Sequence, residues 1–469
     1  MGRLLWMAGK AFFIALVLTP IIRDISRSFN VVDRPGKRKI HAHPVPRVGG
    51  IAIAVAYGLA LIPFGGPDNP LASSLLRAWA VIPAAAIVLV VGLLDDLFSL
   101  KPVLKLAGLV AAASVAFWSG LRMVDVASHA LPVWIDYLLT VFWLVLAANA
   151  LNLIDGLDGL CAGMGMLSSL TLFTAAMLHH NMPLAYATFP LAAALAGFLC
   201  YNFNPATVFL GDSGALLIGF LLGSYGMFWS QKGSTVLSML VPLLALAIPL
   251  LDVSLSVLRR LIRRQPIFAA DRGHIHHRLI DRGLSPRQAV WVLYVVGALA
   301  AAFALLASSG ILGHYQGVII VLFCAAAWLG IRKLHYSEFN IAARLLFSPA
   351  QPAPNGETRL DRLASRLENA ATEEIWWNTL AREGRSLGFA ALRWSRAGGV
   401  REEVFSPGAP RGWSLQIPLS GADAIEVEGQ TGADTAACDL PGLAEVIGRT
   451  CPAKASPPAK AKPAATGAA

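Results

Sequence analysis

What most constrains this chain is a series of apolar runs too long for a soluble domain. They cover roughly 4–22, 48–64, 79–95, 103–120, 133–150, 160–178, 185–201, 213–229, 236–258, 288–308 and 312–331. Each is long enough to cross about 30 Å of hydrocarbon as a helix. Helices are required because hydrocarbon offers a backbone N–H or C=O no other partner. With 56% of 469 residues hydrophobic and 14% charged, the chain is expected to be an all-α polytopic membrane protein of about eleven transmembrane helices. No signal-peptide cleavage pattern follows the first run, which reads as a retained span. No internal repeat of fixed period is present.

Lys and Arg in short loops mark the cytoplasmic side. The loop after the first run holds Arg23, Arg27, Arg34, Lys37, Arg38, Lys39 and Arg47, and the loop before the tenth holds Arg259, Arg260, Arg263, Arg264, Arg272, Arg278, Arg282 and Arg287. Alternate loops hold little beyond Arg77, Arg122 and Lys232. This places the N-terminus outside and the C-terminus inside. Lys10, within the first run, must snorkel or shift the start of the span. The formal net charge of +10 is a topology signal and an anion-binding face, and nucleic acid need not be invoked. Of the five cysteines, Cys161, Cys200 and Cys324 fall in or beside spans, while Cys438 and Cys451 fall in reducing cytoplasm, so no disulfide framework is expected.

With that topology every polar-rich segment lies on one side: 33–50, 92–106, 149–163, 202–215 and 271–283. Asp95 and Asp96 end an apolar helix, a costly place for adjacent carboxylates unless cations meet them. Asp155, Asp158 and Asp212 add three more, against Arg38, Lys39, Arg47, Lys105, Arg272, Arg278 and the histidines 274, 276 and 277. Carboxylate and amide oxygens favour a hard cation, Mg²⁺ with Mn²⁺ as a substitute, bound through one or two protein oxygens plus substrate phosphates. Basic residues and glycine-opened backbone favour the phosphates themselves. Metal-assisted phosphoryl transfer at the membrane surface fits both.

Four strings then stand in order: the paired Asp95–Asp96 followed by Lys105, "NALNLIDGLDGL", "NFNPA…FLGDSG" and "HIHHRL". Together they resemble the polyprenyl-phosphate N-acetylhexosamine-1-phosphate transferases, over about residues 1–340. "HIHHRL" and "RKIHAHPVPR" resemble the WecA and TagO branch more than the related MraY branch. The resemblance implies that the phosphate of undecaprenyl phosphate attacks the β-phosphorus of a UDP-N-acetylhexosamine, with UDP-GlcNAc the better fit, releasing UMP and starting a lipid-linked cell-envelope glycan. It implies a catalytic group of Asp95, Asp96 and Lys105, with the carboxylates near the lipid phosphate and Lys105 neutralising phosphate charge. One carboxylate is often proposed as a base in this family. A phosphate monoester has a second pKa of about 6, so the acceptor is already largely ionised, and Asp95 fits positioning better than deprotonation. Asn152 and Asp212 are the implied metal ligands. Asp155 and Asp158 face the nucleotide, with Asp158 at the uracil, and Arg272, His274, His276, His277 and Arg278 face diphosphate and sugar. Lys39, His41 and Arg47 are weaker members of the set. The resemblance also implies a bacterial inner membrane with site and C-terminus cytoplasmic, and a homodimer is compatible with it.

Plainer readings stand beside these. Asp95–Asp96 can stop a span, Lys105 can snorkel, and the asparagines and aspartates of 149–158 can cap helix ends. Asp212 can be an N-cap, although that leaves Gly211 and Gly214 beside it unexplained. The basic residues of 38–47 can be topology determinants. H-x-H-H can bind zinc, but no cysteine is near and Arg272 and Arg278 would repel a cation. A transporter of phosphorylated or nucleotide-linked sugars would also need charged residues, placed near mid-bilayer between broken helices.

A transferase domain is therefore expected over 1–347, with a Pro-rich linker at 348–358. Residues 359–450 read as a small cytoplasmic α+β module of unassigned purpose, with a helical pattern and the short strands "FAALRWSR", "REEVFSP", "WSLQIPL" and "DAIEVEG". Residues 451–469 read as a disordered tail.

Overall fold

The apolar runs fold as helices whose number and length differ from expectation. The computed structural model describes residues 1–33, 44–62, 81–123, 132–230, 239–262, 273–308, 317–318, 321–326, 359–370, 372–387, 389–396, 399–406, 411–419, 423–430 and 440–451. The chain divides into two units, Met1–Ala342 and Ala343–Ala469. The Pro-rich segment 348–358 and residues 452–469 of the tail lie outside the described residues.

In the first unit the helices are α1 (Gly2–Ser28), α2 (Gly49–Leu61), α3 (Ile82–Phe98), α4 (Pro102–Trp118), α5 (Val133–Ile154), α6 (Leu160–Leu178), α7 (Met182–Asn202), α8 (Gly211–Ser230), α9 (Leu240–Ala245), α10 (Ala247–Ile262), α11 (Ile275–Asp281) and α12 (Pro286–Ser308). Six of them, α1, α5, α6, α7, α8 and α12, are long and apolar enough to cross a membrane. The eleven expected spans are thus not matched among the described residues. α2 and α4 are apolar but shorter, with 13 and 17 residues. The run 236–258 is not one helix: it breaks at Leu246 between α9 and α10. Pro249 has no N–H to give the carbonyl of Ala245, and the hydroxyl of Ser168 on α6 donates to that carbonyl instead. Of 312–331, only 317–318 and 321–326 are described, as helix. Lys10, within α1, donates from Nζ to the carbonyl of Ile62 just past the end of α2.

α8 is the hub of the unit, buried at every residue from Ser213 to Met227. Its glycines let another backbone come close, since a Cβ at Gly219 or Gly223 would run into Ala147 of α5. Small residues four apart are how apolar helices pack without a hydrophobic driving force between them. A short ribbon, β1 (Val32–Asp33) antiparallel to β2 (Val45–Pro46), follows α1. α3, α5 and α7 end at the polar segments from which α4, α6 and α8 begin, and hydrogen bonds accepted by Asp96 and Asp158 tie these segments to one another.

In the second unit α13 (Arg359–Glu368), α14 (Glu373–Ser386) and α15 (Leu440–Thr450) accompany four strands, β3 (Phe389–Arg396), β4 (Gly399–Val404), β5 (Arg411–Pro418) and β6 (Ala424–Gln430). The sheet is antiparallel, in the order β4-β3-β6-β5. The expected strands are present because their alternating Phe389, Leu392, Trp394, Ile425 and Val427 have a core to enter, with Trp376 and Trp377 of α14. Thr372 caps α14 by accepting from the N–H of Ile375.

Candidate active site

Asp95 and Asp96 are sequence neighbours, so on a helix they point about 100° apart. Asp95 turns to α4: its Oδ1 accepts from the Leu100 N–H at 2.7 Å, and its Oδ2 meets Lys105 Nζ at 2.8 Å. Asp96 turns to α8: it is 4% exposed and accepts from the N–H groups of Asp212 (2.9 Å) and Ser213 (3.0 Å). Those are orphan donors of a helix start, and a carboxylate from another helix both caps them and meets the positive end of the helix dipole. Asp96 thereby fixes the residue after which the next carboxylate, Asp212, projects. Lys105 closes the group, with Nζ 3.1 Å from Asp212 Oδ2.

The approach of these elements depends on Gly211. Its φ is +74°, and a Cβ there would overlap the carbonyl of Arg47 and crowd the Asp96 carboxylate. The Arg47 segment is bound in turn: Phe209 N–H donates to Pro46 O, Gly50 N–H donates to Leu210 O, and the Arg47 guanidinium donates to the Asp96 carbonyl.

Asn152 ends α5, and the DGLDG turn passes from it to α6. Asn149 points elsewhere, its amide donating back to the Val145 carbonyl. Asp158 Oδ2 accepts from Asn204 Nδ2 and the Ala206 N–H, both at 3.0 Å, which ties this turn to the segment before α8. Asp155 stands among carboxylates. Burial, then the charges of Asp212, Asp96 and Asp158, push its carboxyl well above the usual carboxylate range.

Asp33, Arg47, Asp96, Asn152, Asp155, Asp158, Asp212 and His277 share the lining of one cavity of about 770 Å³. Of the expected site residues, Arg47, Asp96, Asn152, Asp155, Asp158, Asp212 and His277 are thus brought together, with Asp95 and Lys105 behind Asp212. Among the described residues no three His, Cys, Asp or Glu side chains form a metal cluster. The donor set still fits Mg²⁺, which takes one or two carboxylates and completes its octahedron with phosphate and water oxygens. A cation among Asp155, Asp212 and Asn152 would also relieve the repulsion that lifts Asp155.

The histidine segment enters from the other side. Asp252 of α10 is 1% exposed and accepts from His274 Nδ1 (2.9 Å) and the Ile275 N–H (2.7 Å). Arg259 donates to the Gly273 carbonyl at 2.8 Å. So held, His276 sits on the DGLDG turn, where a Cβ at Gly156 would strike its Nε2, and His277 lines the cavity. Burial pushes the His276 imidazole down to about 4, so it is neutral at pH 7. Arg278 donates to the Gly273 carbonyl and braces the segment; it is absent from the cavity lining. Lys39, His41 and Arg272 lie outside the described residues.

Asp33 and Asp252 were not singled out from sequence. Asp252 had a signal, a lone carboxylate inside the apolar run 236–258. Asp33 had none beyond its place at the head of a polar loop.

Six helices long and apolar enough to cross a membrane define a multi-pass membrane protein, and its charged groups gather around helix ends, where an alternating-access carrier would hold them between broken helices at mid-depth. Residues 78–230 match the family described as Glycosyl transferase family 4. Over 312 residues the chain is 33% identical to a Bacillus subtilis protein named "Probable undecaprenyl-phosphate N-acetylglucosaminyl 1-phosphate transferase", covering 66% of this chain and 86% of that one. It is 32% identical to a decaprenyl-phosphate N-acetylglucosaminephosphotransferase of Mycolicibacterium smegmatis, covering 66% and 84%. It is 30% identical to the undecaprenyl-phosphate alpha-N-acetylglucosaminyl 1-phosphate transferase of Escherichia coli K12, again covering 66% and 84%. The chain belongs to the polyprenyl-phosphate N-acetylhexosamine-1-phosphate transferase family, and it is a membrane transferase.

Proposed function

We propose that the protein transfers N-acetylglucosamine-1-phosphate from UDP-N-acetylglucosamine to undecaprenyl phosphate at the cytoplasmic face of a bacterial inner membrane. An oxygen of the lipid phosphate attacks the β-phosphorus of the donor. The bond from that phosphorus to the bridging oxygen breaks, and the electron pair leaves with UMP. The observation that carries this reading is the convergence of Asn152, Asp155, Asp158, Asp212 and Arg47 on one cavity, with Lys105 paired to Asp212 behind them.

The chain's own groups divide the work. Arg47 and Lys105 offer positive charge to phosphate oxygens, and Asp95 holds Lys105 in place. Asp96 acts through α8, fixing where Asp212 stands. Asn152 and Asp212 would hold Mg²⁺, which when bound orients the diphosphate and stabilises the charge that builds on its oxygens. Asp158, tethered to the 204–206 segment, borders the nucleotide, and His277 and the neutral His276 border the sugar-diphosphate.

The test is incubation of membranes carrying the protein with radiolabelled UDP-GlcNAc, UDP-GalNAc and undecaprenyl phosphate, with and without Mg²⁺. The expected result is a Mg²⁺-dependent, lipid-extractable GlcNAc product with stoichiometric UMP. Labelled sugar appearing inside sealed vesicles with no lipid product would refute the reading.

A further inference from the structure

β4, with the sequence Gly-Val-Arg-Glu-Glu-Val, is one edge of the second unit's sheet and is exposed along its whole length. An edge strand is a row of unpaired N–H and C=O groups, usually blunted by a proline, a bulge, a covering element or charged side chains, of which β4 has the last in Arg401, Glu402 and Glu403. β4 has no proline, and its register with β3 runs without a shift from Ala391↔Val404 to Arg396↔Gly399. β5, the opposite edge, ends in Pro418 and carries a register shift between Arg411 and Trp413. Among the described residues no strand pairs with the outer side of β4.

The alternation of the ladder says which groups face outward. Phe405 N–H donates to Ala390 O on β3. Counting back by twos, Glu403 and Arg401 also bond inward, and the N–H and C=O of Val404, Glu402 and Val400 point away from the sheet. The side chains of those three lie on the face opposite the helices, with Val400 65% and Val404 50% exposed. Arg401 lies on the helix face, its guanidinium over Trp377 of α14.

About Glu402 the strand is flanked by opposite charges, Arg401 and Glu403, and then by two valines, Val400 and Val404. We propose that β4 pairs antiparallel with β4 of a second copy of the chain, on a two-fold axis at Glu402, joining two four-stranded sheets into one. In that register Glu402 faces Glu402 and Val400 faces Val404 in the hydrogen-bonded pairs, which use the outward-pointing groups. Arg401 faces Glu403 twice, in the closer non-hydrogen-bonded pairs where opposite charges attract. The one like-charge contact is softened within each copy, because Glu402 is bound at 2.7 Å to Arg393, a guanidinium it shares with Glu426 and Glu428. A shift by one residue would turn every side chain of the added strand to the wrong face. The charges at this edge therefore repel shifted pairings and favour the symmetric one.

The test uses the full-length chain in membranes, in a background with the five native cysteines replaced. Glu402→Cys should cross-link to itself on mild oxidation, since paired Cα atoms stand about 5.5 Å apart. Val400→Cys, equally exposed, should not, because its own copy lies four residues along the partner strand, roughly 13 Å away. Co-expressed Val400→Cys and Val404→Cys chains should cross-link. Arg393 keeps Glu428 at 3.1 Å without Glu402, so the sheet survives the Cys variant. Within the Glu402→Cys chain, Arg401→Glu or Glu403→Arg alone should lower the cross-linked fraction several-fold, and the two together should restore it. Cross-linking of Glu402→Cys no greater than that of Val400→Cys, capture of another protein instead of a second copy, or failure of the double exchange to restore pairing would each overturn the proposal.

Discussion

Replacing Asp212 by Asn changes one charge and almost no shape. The carboxylate stands 3.1 Å from Lys105 Nζ, and the side chain is 33% exposed to the cavity. Its backbone N–H is held by Asp96, which the substitution leaves alone. Lys105 keeps Asp95 at 2.8 Å. The fold should therefore survive, and the unfolding midpoint in detergent should move by little, since a part-exposed ion pair contributes about 1 kcal/mol or less. Catalysis should not survive as well. A unit charge about 4 Å from a cation contributes roughly 4 kcal/mol at an effective dielectric of 20. The amide dipole returns part of that, leaving about 3 kcal/mol, or roughly two orders of magnitude in turnover. Raising Mg²⁺ should recover part of the loss if weaker metal binding is the main defect. The assay is exchange of labelled UMP into UDP-GlcNAc over a Mg²⁺ titration. Asp158→Asn should act mainly on nucleotide affinity, because Asp158 braces the segment beside the nucleotide. Near-normal turnover of Asp212→Asn at limiting metal would refute the reasoning.

Deleting residues 350–469 should leave UMP exchange measurable in detergent, since every residue of the cavity lies upstream; complete loss in a folded, inserted truncation would mean that the second unit completes the site. Gly211→Ala forces a left-handed backbone, roughly 1–2 kcal/mol, and a clash with the Arg47 carbonyl; a lower unfolding midpoint and lost exchange are expected, and an unchanged midpoint contradicts the packing. His276, depressed to about 4, takes up its proton in the unfolded chain first; its contribution to stability is fully present above about pH 6.5 and is lost as pH falls towards 4, so His276→Gln should flatten the acid limb of a midpoint-against-pH curve. Reporters placed after Arg332 and near Gly233 should fall on cytoplasmic and outer sides respectively, and a reversed result would remove the one-sided site.

Membrane character and the gathering of motifs at one face could be read in the sequence because both follow from local pattern. Apolar length fixes a helix in hydrocarbon, and alternation of direction between spans carries every second connection to the same end. The span count could not be read this way, because a run such as 236–258 breaks where Pro249 leaves a carbonyl open and Ser168 of another helix supplies the donor. The division of labour within Asp95–Asp96 was likewise decided only by tertiary structure. Adjacent on the chain, one carboxylate meets Lys105, ten residues away, and the other the start of α8, more than a hundred residues on. Asp252 stood out in sequence only as a lone carboxylate in an apolar run; its partner His274, at the start of α11, was chosen by the packing of another segment. Periodicity sets which face of an element a residue occupies, but which element that face meets depends on packing between segments far apart in the chain, and there the second partner of each charge was chosen.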